Sequence, residues 1–597
     1  MRGTISLLLM SRISGGSSAA RPALLLYLCA GALAAALGVA SLQVRSARSL
    51  DTPRRLAGTP LLVRAPRGWI EPRPGVFVPK PAAGRAEQQP VKLAWRLEFY
   101  YERREAFLAP AHLLKDSAAA IPTRIGGLAG LEVHRREPVR TGGWLAMRET
   151  IVRLACSPRG DVIMVEYWPP AGFTQSDAML LDAICDAVRI EGLDTAAGAE
   201  PALQRAGLRF AVAEAWRVYP TSPELRPGLY VLSSIRGIPL WSLGVFRTWL
   251  APGRTPRELL SSFAVRAWDL GLRGLPIVEW SPRAGVQCAE VRHPSFAADE
   301  IAIPAAWVVA SAPDQAAMLF VYAAPRDAAA AAEAARTLAD TVELVPEAAL
   351  DMPAGQAAGR ELAELLTREG PYPSWGDAPP AGLYVADSGQ RRLVALDLRE
   401  PIRADGRAGY RGHWGYLIAP EGLYDVASWE INRRATVYQL VRVRGDSRRS
   451  QRGSSVTIRE RRGLDGEKLR VAVERGGRMA EVREFDVGPT FVAPPLETLA
   501  AAWVSGQARG TWLIEVSSQG GGDSFTRLLQ PLAHDADGRP RVLSADDFWP
   551  PGDVIRFDQD GLPHEWSLPG AVAQRRKPED AGEYRAAIQR LRSLFPE

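Results

Sequence analysis

The apolar segment from Pro22 to Val44 is the feature that most constrains what this chain can become. It is rich in leucine and alanine, and no charged residue lies between Arg21 and Arg45. As a helix it would be about 34 Å long, enough for a hydrocarbon core of about 30 Å. Because no later stretch is as long and as apolar, the sequence predicts one N-terminal transmembrane helix that carries a large body.

Two interpretations of this segment remain open. An uncleaved anchor accounts for its length, whereas Gly38-Val39-Ala40 offers the small residues of a signal-peptide cleavage site. The uncharged run exceeds a typical signal core, which favours the anchor. Lipidation at Cys29 is disfavoured by the bulky residues before it. The sequence thus predicts a single-pass membrane protein with an extracytoplasmic body, a disordered N-terminus over 1–21 and a linker over 45–60.

Length and charge limit the function classes. A chain of 597 residues is too long for one core and predicts three or four domains. The 73 basic and 67 acidic residues are dispersed along the chain. Such a pattern leaves no basic stripe, so nucleic acid is not an expected partner.

Two stretches of the body, 61–192 and 208–346, predict a repeat. Trp69 comes shortly before a Pro-Gly turn, and so does Trp216, 147 residues later. Each stretch ends in a helix that leads into a short strand, where Asp186 matches Asp340 at an offset of 154 residues. The offset drifts from 147 to about 155 and is nearly constant over the second half of the two stretches, which indicates a duplicated unit.

The elements inside the first stretch indicate a sheet covered by helices. Leu93–Tyr101 alternates like a strand, and Ala111–Ala120 has the pattern of a helix. Ala146–Cys156 and Asp161–Trp168 predict an antiparallel pair, and Ser176–Val188 predicts an amphipathic helix. Helices against one face of an antiparallel sheet predict an α+β sandwich for each repeat.

This order of elements resembles the PsbP-like fold, named for an extrinsic protein of photosystem II. The resemblance rests on Pro66 three residues before Trp69, the central sheet and the final helix and strand. The second stretch has Ala213 in the place of the proline. The resemblance implies binding or assembly modules without catalytic activity.

The C-terminal half predicts a β-rich domain over 381–569, after a linker over 347–380 with a short helix at Gly355–Gly370. Its alternating segments and the single helix at Pro494–Val504 resemble, in element order, the half-barrel of lipoprotein carrier proteins. The tail, 570–597, predicts a terminal helix. The fold class expected for the whole chain is therefore α+β, with a transmembrane helix, two repeated sandwiches and a half-barrel-like domain.

No catalytic, metal or cofactor motif stands out, so no cofactor is expected. Asp535-Ala536-Asp537-Gly538 and Asp558-Gln559-Asp560-Gly561 lack the glutamate of a calcium loop and predict tight turns. Cys156, Cys185 and Cys288 predict small buried apolar residues, although a disulfide between the first two stays open.

Tryptophans of the C-terminal domain are the candidates for ligand binding. Tryptophan fills β-sheet cores, and it also lines cavities for apolar or carbohydrate ligands. If a ligand site exists, the sequence places it around three of them: Trp414, Trp429 and Trp549.

The function predicted from the sequence is a membrane-anchored, extracytoplasmic, non-enzymatic binding or scaffold protein of the cell envelope. Its expected partners are the membrane and an apolar ligand or an envelope protein. The alternative is a hydrolase with Asp546, Asp547 and His564 near Trp549, which requires these groups to converge in the fold. A purely structural envelope protein is the third possibility.

Overall fold

We analysed a computed structural model of the chain. It describes residue 589 and residues 50–576, except 58, 81–94, 104–109, 115–119, 142–143, 158–159, 170–172, 192–198, 214–215, 222–227, 236–237, 269–275, 294–302, 313, 324–326, 347–348, 370–380, 389–390, 405–406, 420–422, 433–437, 447–455, 463–467, 476–477, 518–523 and 569–570. The predicted transmembrane segment, Pro22–Val44, lies outside the described residues, as do residues 577–588 and 590–597 of the predicted helical tail. The prediction of a helical tail over 570–597 is wrong for its first part, because Ala571–Arg576 is a β-strand that pairs with Gly382–Ser388. Within the described part, no helix is long and apolar enough to cross a membrane.

The first unit is a seven-stranded antiparallel sheet with a helix on one face. Its strands occur in the sheet order β3-β4-β5-β9-β8-β7-β6. A small separate sheet joins β1, β2 and β10. The elements are β1 (Arg54–Arg55), β2 (Leu61–Val63), β3 (Trp69–Arg73), β4 (Val76–Pro79), β5 (Arg96–Arg103), α1 (Pro110–Leu113), β6 (Ile121–Ile125), β7 (Leu128–Thr141), β8 (Trp144–Cys156), β9 (Asp161–Trp168), α2 (Gln175–Ala187) and β10 (Arg189–Ile190).

Local sequence signals explain this unit well. Helix α2 begins at a capping box, in which the Thr174 hydroxyl accepts from the Asp177 N–H and the Asp177 carboxylate accepts from the Thr174 N–H. Its buried face carries Leu181, Ile184 and Cys185. The predicted helix and the predicted pairing of β8 with β9 are both confirmed.

The second unit has the same sheet order as the first. Its strands run β12-β13-β14-β18-β17-β16-β15, and a short β11–β19 pair corresponds to the β2–β10 pair. The elements are α3 (Ala199–Ala206), β11 (Leu208–Arg209), β12 (Trp216–Pro220), β13 (Gly228–Ile235), β14 (Ile238–Trp249), α4 (Pro256–Trp268), β15 (Ile277–Trp280), β16 (Gln287–Arg292), β17 (Ala305–Ala312), β18 (Gln315–Ala323), α5 (Ala328–Thr341) and β19 (Glu343–Leu344).

The segment expected to be a linker with a short helix contains α6 (Met352–Glu369), which is longer than predicted. This helix packs closely against the C-terminal half: a Cβ at Gly359 would lie 1.9 Å from the carbonyl oxygen of Leu513. Glycine at this position lets the two backbones touch, so α6 is part of the core rather than a spacer.

The C-terminal half is dominated by one ten-stranded antiparallel sheet. Its order is β27-β26-β25-β24-β23-β22-β21-β20-β33-β32, and a four-stranded sheet has the order β28-β29-β30-β31. The strands of the first run are β20 (Gly382–Ser388), β21 (Arg391–Ala404), β22 (Arg407–Ala419), β23 (Leu423–Asn432), β24 (Tyr438–Asp446), β25 (Val456–Arg462), β26 (Lys468–Arg475) and β27 (Arg478–Asp486). After them come a 3₁₀ turn (Pro494–Leu496), α7 (Glu497–Ser505), β28 (Trp512–Ser517), β29 (Ser524–Leu532), β30 (Arg541–Asp546), β31 (Trp549–Arg556), β32 (Glu565–Leu568) and β33 (Ala571–Arg576).

The expected α+β class is wrong, because the described structure is mainly β. Alternation predicted many C-terminal strands correctly, but it could not show that ten of them join one continuous sheet. Register between distant strands is set by tertiary packing and not by local pattern.

The largest apolar core spans several parts of the described body, beside separate cores within the first and the second unit. It contains buried residues of the first unit, the second unit, α6, the ten-stranded sheet and the four-stranded sheet. Examples, one from each in that order, are Leu131, Phe320, Leu362, Trp429 and Leu529. The sheets therefore hold fixed positions relative to one another through shared packing.

Candidate functional site

Five residues on one face of the ten-stranded sheet form the strongest candidate site. The register places Asp397 of β21 opposite Trp414 of β22, and Trp414 opposite Ala427 of β23. Ala427 in turn lies opposite Arg442 of β24. Because residues two apart on a strand share a face, Arg399 and Asp425 lie on this face as well. We call Asp397, Arg399, Trp414, Asp425 and Arg442 the Trp414 cluster.

The four charged residues of the cluster form two bidentate ion pairs. Arg399 donates through Nε and Nη2 to the two carboxylate oxygens of Asp397, at 3.1 and 2.6 Å. Arg442 forms the same bidentate pair with Asp425: its Nε and Nη2 each donate to one carboxylate oxygen, both at 2.6 Å. All four residues are buried. Burying such pairs has a large desolvation cost, and removing one partner of a buried pair typically costs about 3–5 kcal/mol.

Trp414 lies between these two ion pairs and is only partly buried. The guanidinium carbon of Arg442 lies 5.1 Å from the centre of the Trp414 ring, within the range of a cation–π contact. Small residues flank the ring position, since Ala427 is its neighbour on β23 and Gly412 precedes it by two residues on β22. The cluster therefore combines an aromatic ring with fixed charges on a rigid sheet.

Trp429 belongs to the core instead. It is 2% exposed, and a Cβ at Gly412 would lie 2.3 Å from its ring. The ring therefore covers the glycine backbone directly. Trp429 lies on the same face of the sheet as the Trp414 cluster, because positions 427 and 429 of β23 share a face. It is closed to a ligand, and Trp414 packs against the same apolar core.

Trp549, the third predicted ligand residue, lies elsewhere. Its ring centre is 4.9 Å from that of Phe320 on β18, at the junction between the second unit and the four-stranded sheet. The structure thus brings Trp414 and Trp429 together and separates Trp549 from them.

Tyr384 links the same face to the end of the chain. Its hydroxyl donates to the carbonyl oxygen of Pro563 at 2.8 Å. Burial, reinforced by the nearby Asp397 carboxylate, raises the pKa of this phenol, so Tyr384 stays neutral. Strand β33 pairs directly with β20, and Arg575 of β33 donates to the carbonyl oxygen of Ala381, just before β20, at 3.2 Å.

The three groups of the hydrolase alternative bind different partners. Asp546 pairs with Arg527 at 2.7 Å, while Asp547 pairs with Arg254 at 2.6 Å. His564 lies with its Nδ1 2.9 Å from a carboxylate oxygen of Asp558. Across the described residues, no hydrogen bond or ion pair joins His564 to Asp546 or Asp547.

Asp547 marks the junction between the second unit and the four-stranded sheet. It is completely buried, and its backbone carbonyl accepts a hydrogen bond from the Thr248 hydroxyl. Burial raises the pKa of the Asp547 carboxyl group to about 6, against the opposing effect of the Arg254 guanidinium. The group joins two sheets, which is a structural role.

The two Asp-x-Asp-Gly segments are turns. Oδ1 of Asp535 accepts from the backbone N–H of Asp537 at 2.9 Å and of Arg539 at 2.8 Å. Asp558 and Asp560 pair with Arg575. Among the residues that the structure describes, no group of three or more His, Cys, Asp and Glu could hold a metal ion. Cys156, Cys185 and Cys288 are buried, and no disulfide joins any two of them.

Sequence reasoning missed the charged members of the Trp414 cluster. Asp397 and Arg399 are two residues apart in the sequence VALDLRE, directly after the apolar run Leu393–Leu396. That spacing is a signal of inward-facing charge. It becomes informative only when the buried face of the strand is known.

Comparisons with protein-family models, with curated proteins and with solved structures find no match for this chain. The resemblances to the PsbP-like fold and to lipoprotein carriers therefore stay predictions.

Proposed function

We propose that this protein is a non-enzymatic binding and scaffold protein of the cell envelope, and that the Trp414 cluster takes an apolar ligand. The body lies outside the cytoplasm, and the apolar segment 22–44 associates it with the membrane. The observation that carries the proposal is a partly accessible tryptophan held between two buried ion pairs on a rigid sheet.

The scaffold part of the proposal is supported by the continuous core. Inter-domain contacts in flexible proteins are usually small and polar. Here Phe320 of the second unit contacts Trp549 of the four-stranded sheet, and Gly359 of α6 touches β28. A body of this kind presents its surfaces in fixed positions.

The two seven-stranded units are proposed to be repeats, on the basis of their shared strand order. A buried glutamate lies beneath the covering helix in both. In the first unit Glu132 of β7 accepts from Arg153 at 2.6 Å, and in the second Glu290 of β16 accepts from Arg336 at 2.7 Å. Glu290 also accepts from Arg292 of its own strand, so a sheet arginine pairs with the glutamate in both units and the covering helix adds a second cation in the second unit.

An apolar ligand fits the cluster better than a charged one. Both arginines are already matched to carboxylates, so the cluster carries no net charge. A neutral ligand with a flat apolar face buries apolar area against Trp414. Unlike a charged ligand, it has no ionic group whose desolvation would cost free energy.

Binding of the neutral probe N-phenyl-1-naphthylamine tests this function. The full chain should increase probe fluorescence with one saturable component. Trp414→Leu should weaken that component about tenfold or more, since contact with an aromatic side chain accounts for about 1.5–3 kcal/mol. Trp503→Leu is the matched control, because Trp503 is 37% exposed and lies on α7.

Two results would contradict the proposal. One is the absence of saturable binding by the wild-type chain, and the other is an equal loss in both tryptophan variants. Cell fractionation with N-terminal sequencing of the mature protein tests the localisation separately. Recovery of the chain in the cytoplasmic fraction would refute the envelope assignment.

A further inference from the structure

The face of the first sheet that turns away from α2 carries a row of polar side chains. Ile151 of β8 lies opposite Tyr167 of β9, and both belong to the core beneath α2. Because side chains alternate along a strand, their neighbours Thr150 and Trp168 turn to the other face. Arg96 of β5 is the cross-strand partner of Trp168 on that face. Arg96, Trp168 and Thr150 therefore form one row across three adjacent strands, which we call the donor row.

Each residue of the donor row has a buried hydrogen-bonding atom that meets no partner among the residues that the structure describes. These atoms are Nε of Arg96, Nε1 of Trp168 and Oγ1 of Thr150. Trp168 is 7% exposed and Thr150 is 5% exposed. The two nitrogens can only donate, and the hydroxyl can donate as well as accept. Because buried polar groups in folded proteins are almost always hydrogen-bonded, three such donors in one row point to an acceptor that comes from outside the row.

Two guanidinium groups lie against the indole ring of the donor row. The guanidinium carbon of Arg96 is 4.7 Å from the centre of the Trp168 ring, and that of Arg148 is 5.6 Å from it. Both distances are within the range of a cation–π contact. The Arg96 side chain is 28% exposed, so the row is buried but lies next to solvent.

Cations outnumber carboxylates on this part of the face. The register and the ion pairs place seven charged residues there: Arg73, Arg96, Arg135, Arg148, Glu98, Glu137 and Glu166. Four arginines against three glutamates leave one positive charge in excess. Glu98 is buried and already accepts from Arg73, Arg96 and Tyr100.

The protonation equilibrium of Arg96 agrees with this imbalance. Burial lowers the pKa of its guanidinium, and the charges of Arg73 and Arg148 lower it further, while the Glu166 carboxylate opposes them. A lowered pKa means that the surroundings disfavour the positive charge. A bound anion would therefore stabilise this group.

We propose that the donor row binds the carboxylate group of a ligand. An ionised carboxylate only accepts hydrogen bonds, so it can satisfy all three donors, whereas a water molecule would need acceptors for its own two hydrogens. Its single charge matches the single excess positive charge, whereas a phosphate monoester carries about −1.5 to −2 at neutral pH. The same chemistry is offered by a small carboxylic acid and by an acidic side chain of a protein.

Fluorine-19 NMR of trifluoroacetate with the full chain in a non-ionic detergent tests the proposal. The wild-type chain should broaden the signal of this probe with one saturable component. At constant ionic strength, acetate should reverse the broadening at lower concentrations than inorganic phosphate or chloride.

Two variants each remove one donor and keep the shape of the site. Thr150→Val removes the hydroxyl, and Trp168→Phe removes the indole N–H but leaves an aromatic ring beneath the guanidinium groups. Each should weaken probe binding about tenfold or more, because a hydrogen bond to a charged group is lost. Trp307→Phe is the matched control: Trp307 is fully buried in the core of the second unit, and its Nε1 also meets no acceptor among the described residues.

Thermal unfolding separates a ligand site from a structural role of the hydroxyl. Without ligand, Thr150→Val should unfold at the same temperature as the wild-type chain or at a higher one, because it removes a buried hydroxyl that has no partner. A variant that loses stability and still binds the probe would show that the hydroxyl is bonded within the fold, which would overturn the proposal.

Three further results would overturn it: no saturable broadening by the wild-type chain, an equal loss in Trp307→Phe, or displacement by chloride or phosphate as effective as that by acetate. Competition between acetate and the blocked peptide acetyl-Gly-Glu-Gly-amide identifies the source of the carboxylate. Stronger displacement by the peptide indicates a protein side chain, and stronger displacement by acetate indicates a small molecule. Thr150→Val should not change the binding of N-phenyl-1-naphthylamine, so this site and the Trp414 cluster are tested independently.

Discussion

The buried pair of Arg254 and Asp547 should set how the junction between the second unit and the four-stranded sheet responds to pH. Asp547 is completely buried, and its carboxylate accepts from Arg254 at 2.6 Å. Removing the cation by Arg254→Met leaves a buried carboxylate without its partner. Such a change typically costs about 3–5 kcal/mol of unfolding free energy.

The sign of the pH effect follows from the two pKa values of Asp547. Burial raises the pKa in the folded chain to about 6, whereas the reference value is 3.8. The folded state therefore binds the proton of Asp547 more tightly than the unfolded state does. The stabilisation of the folded state by this proton is complete below about pH 3.8 and is lost as the pH rises through about 6. Between about pH 8 and pH 5 the wild-type chain should gain about 1 kcal/mol from Asp547.

Urea unfolding followed by tryptophan fluorescence measures these effects at both pH values. Arg254→Met should be strongly destabilised at about pH 8 and should recover part of the loss at about pH 5, because protonation removes the unpaired charge. Asp547→Asn should lose the contribution that depends on pH. Arg257→Met, three residues further on at the start of α4, is the matched control. Its pair with Glu279 is half exposed and should contribute less than about 1 kcal/mol. Equal losses in the two arginine variants, or a loss in Arg254→Met that is the same at both pH values, would refute this reasoning.

Three further predictions concern packing and burial. Gly359→Ala should destabilise the chain in thermal unfolding by more than the range of about 0.5–3 kcal/mol that is usual for point mutations. The reason is that its Cβ would lie 1.9 Å from the carbonyl oxygen of Leu513. A neutral effect would show that α6 does not pack on β28. Arg442→Met alone should cost about 3–5 kcal/mol, whereas Arg442→Met with Asp425→Leu should restore most of it, and additive losses in urea unfolding would contradict the closed pair. Burial raises the pKa of the Cys185 thiol to about 11, so this thiol should react with a disulfide reagent only after denaturant is added. Rapid labelling of the native chain at Cys185, identified by peptide mass, would contradict this and show that α2 separates from the sheet in the native state.

Local elements of this protein were largely predictable. The capping residues of α2, the apolar alternation of β24 and β26 and the proline-led start of the helix at 494–505 are all short-range signals. Each depends on residues within one or two turns of each other, where propensity and capping act directly. The predicted boundaries of α2 differ from the observed ones by a single residue at each end.

The candidate site was predictable only in part. Trp414 and Trp429 were selected because tryptophans are abundant in the C-terminal domain, and they do lie on neighbouring strands. Their different environments could not be read from the sequence, because the Trp429 ring lies over the backbone of Gly412 while the ion pair of Arg442 flanks the Trp414 ring. Asp425 and Arg442 are separated by seventeen residues and meet only through the pairing of β23 with β24.

The sequence by itself determined where most strands and helices of the body lie, since hydrophobic period and capping are encoded within a few residues. The tertiary structure decided that ten C-terminal strands form one sheet, that Trp549 packs on Phe320 of the second unit, and that two ion pairs close around Trp414. Those arrangements depend on strand register and on packing between residues far apart in the chain. Local propensity carries no information about such contacts, which is why the fold class was predicted wrongly although many of its elements were predicted correctly.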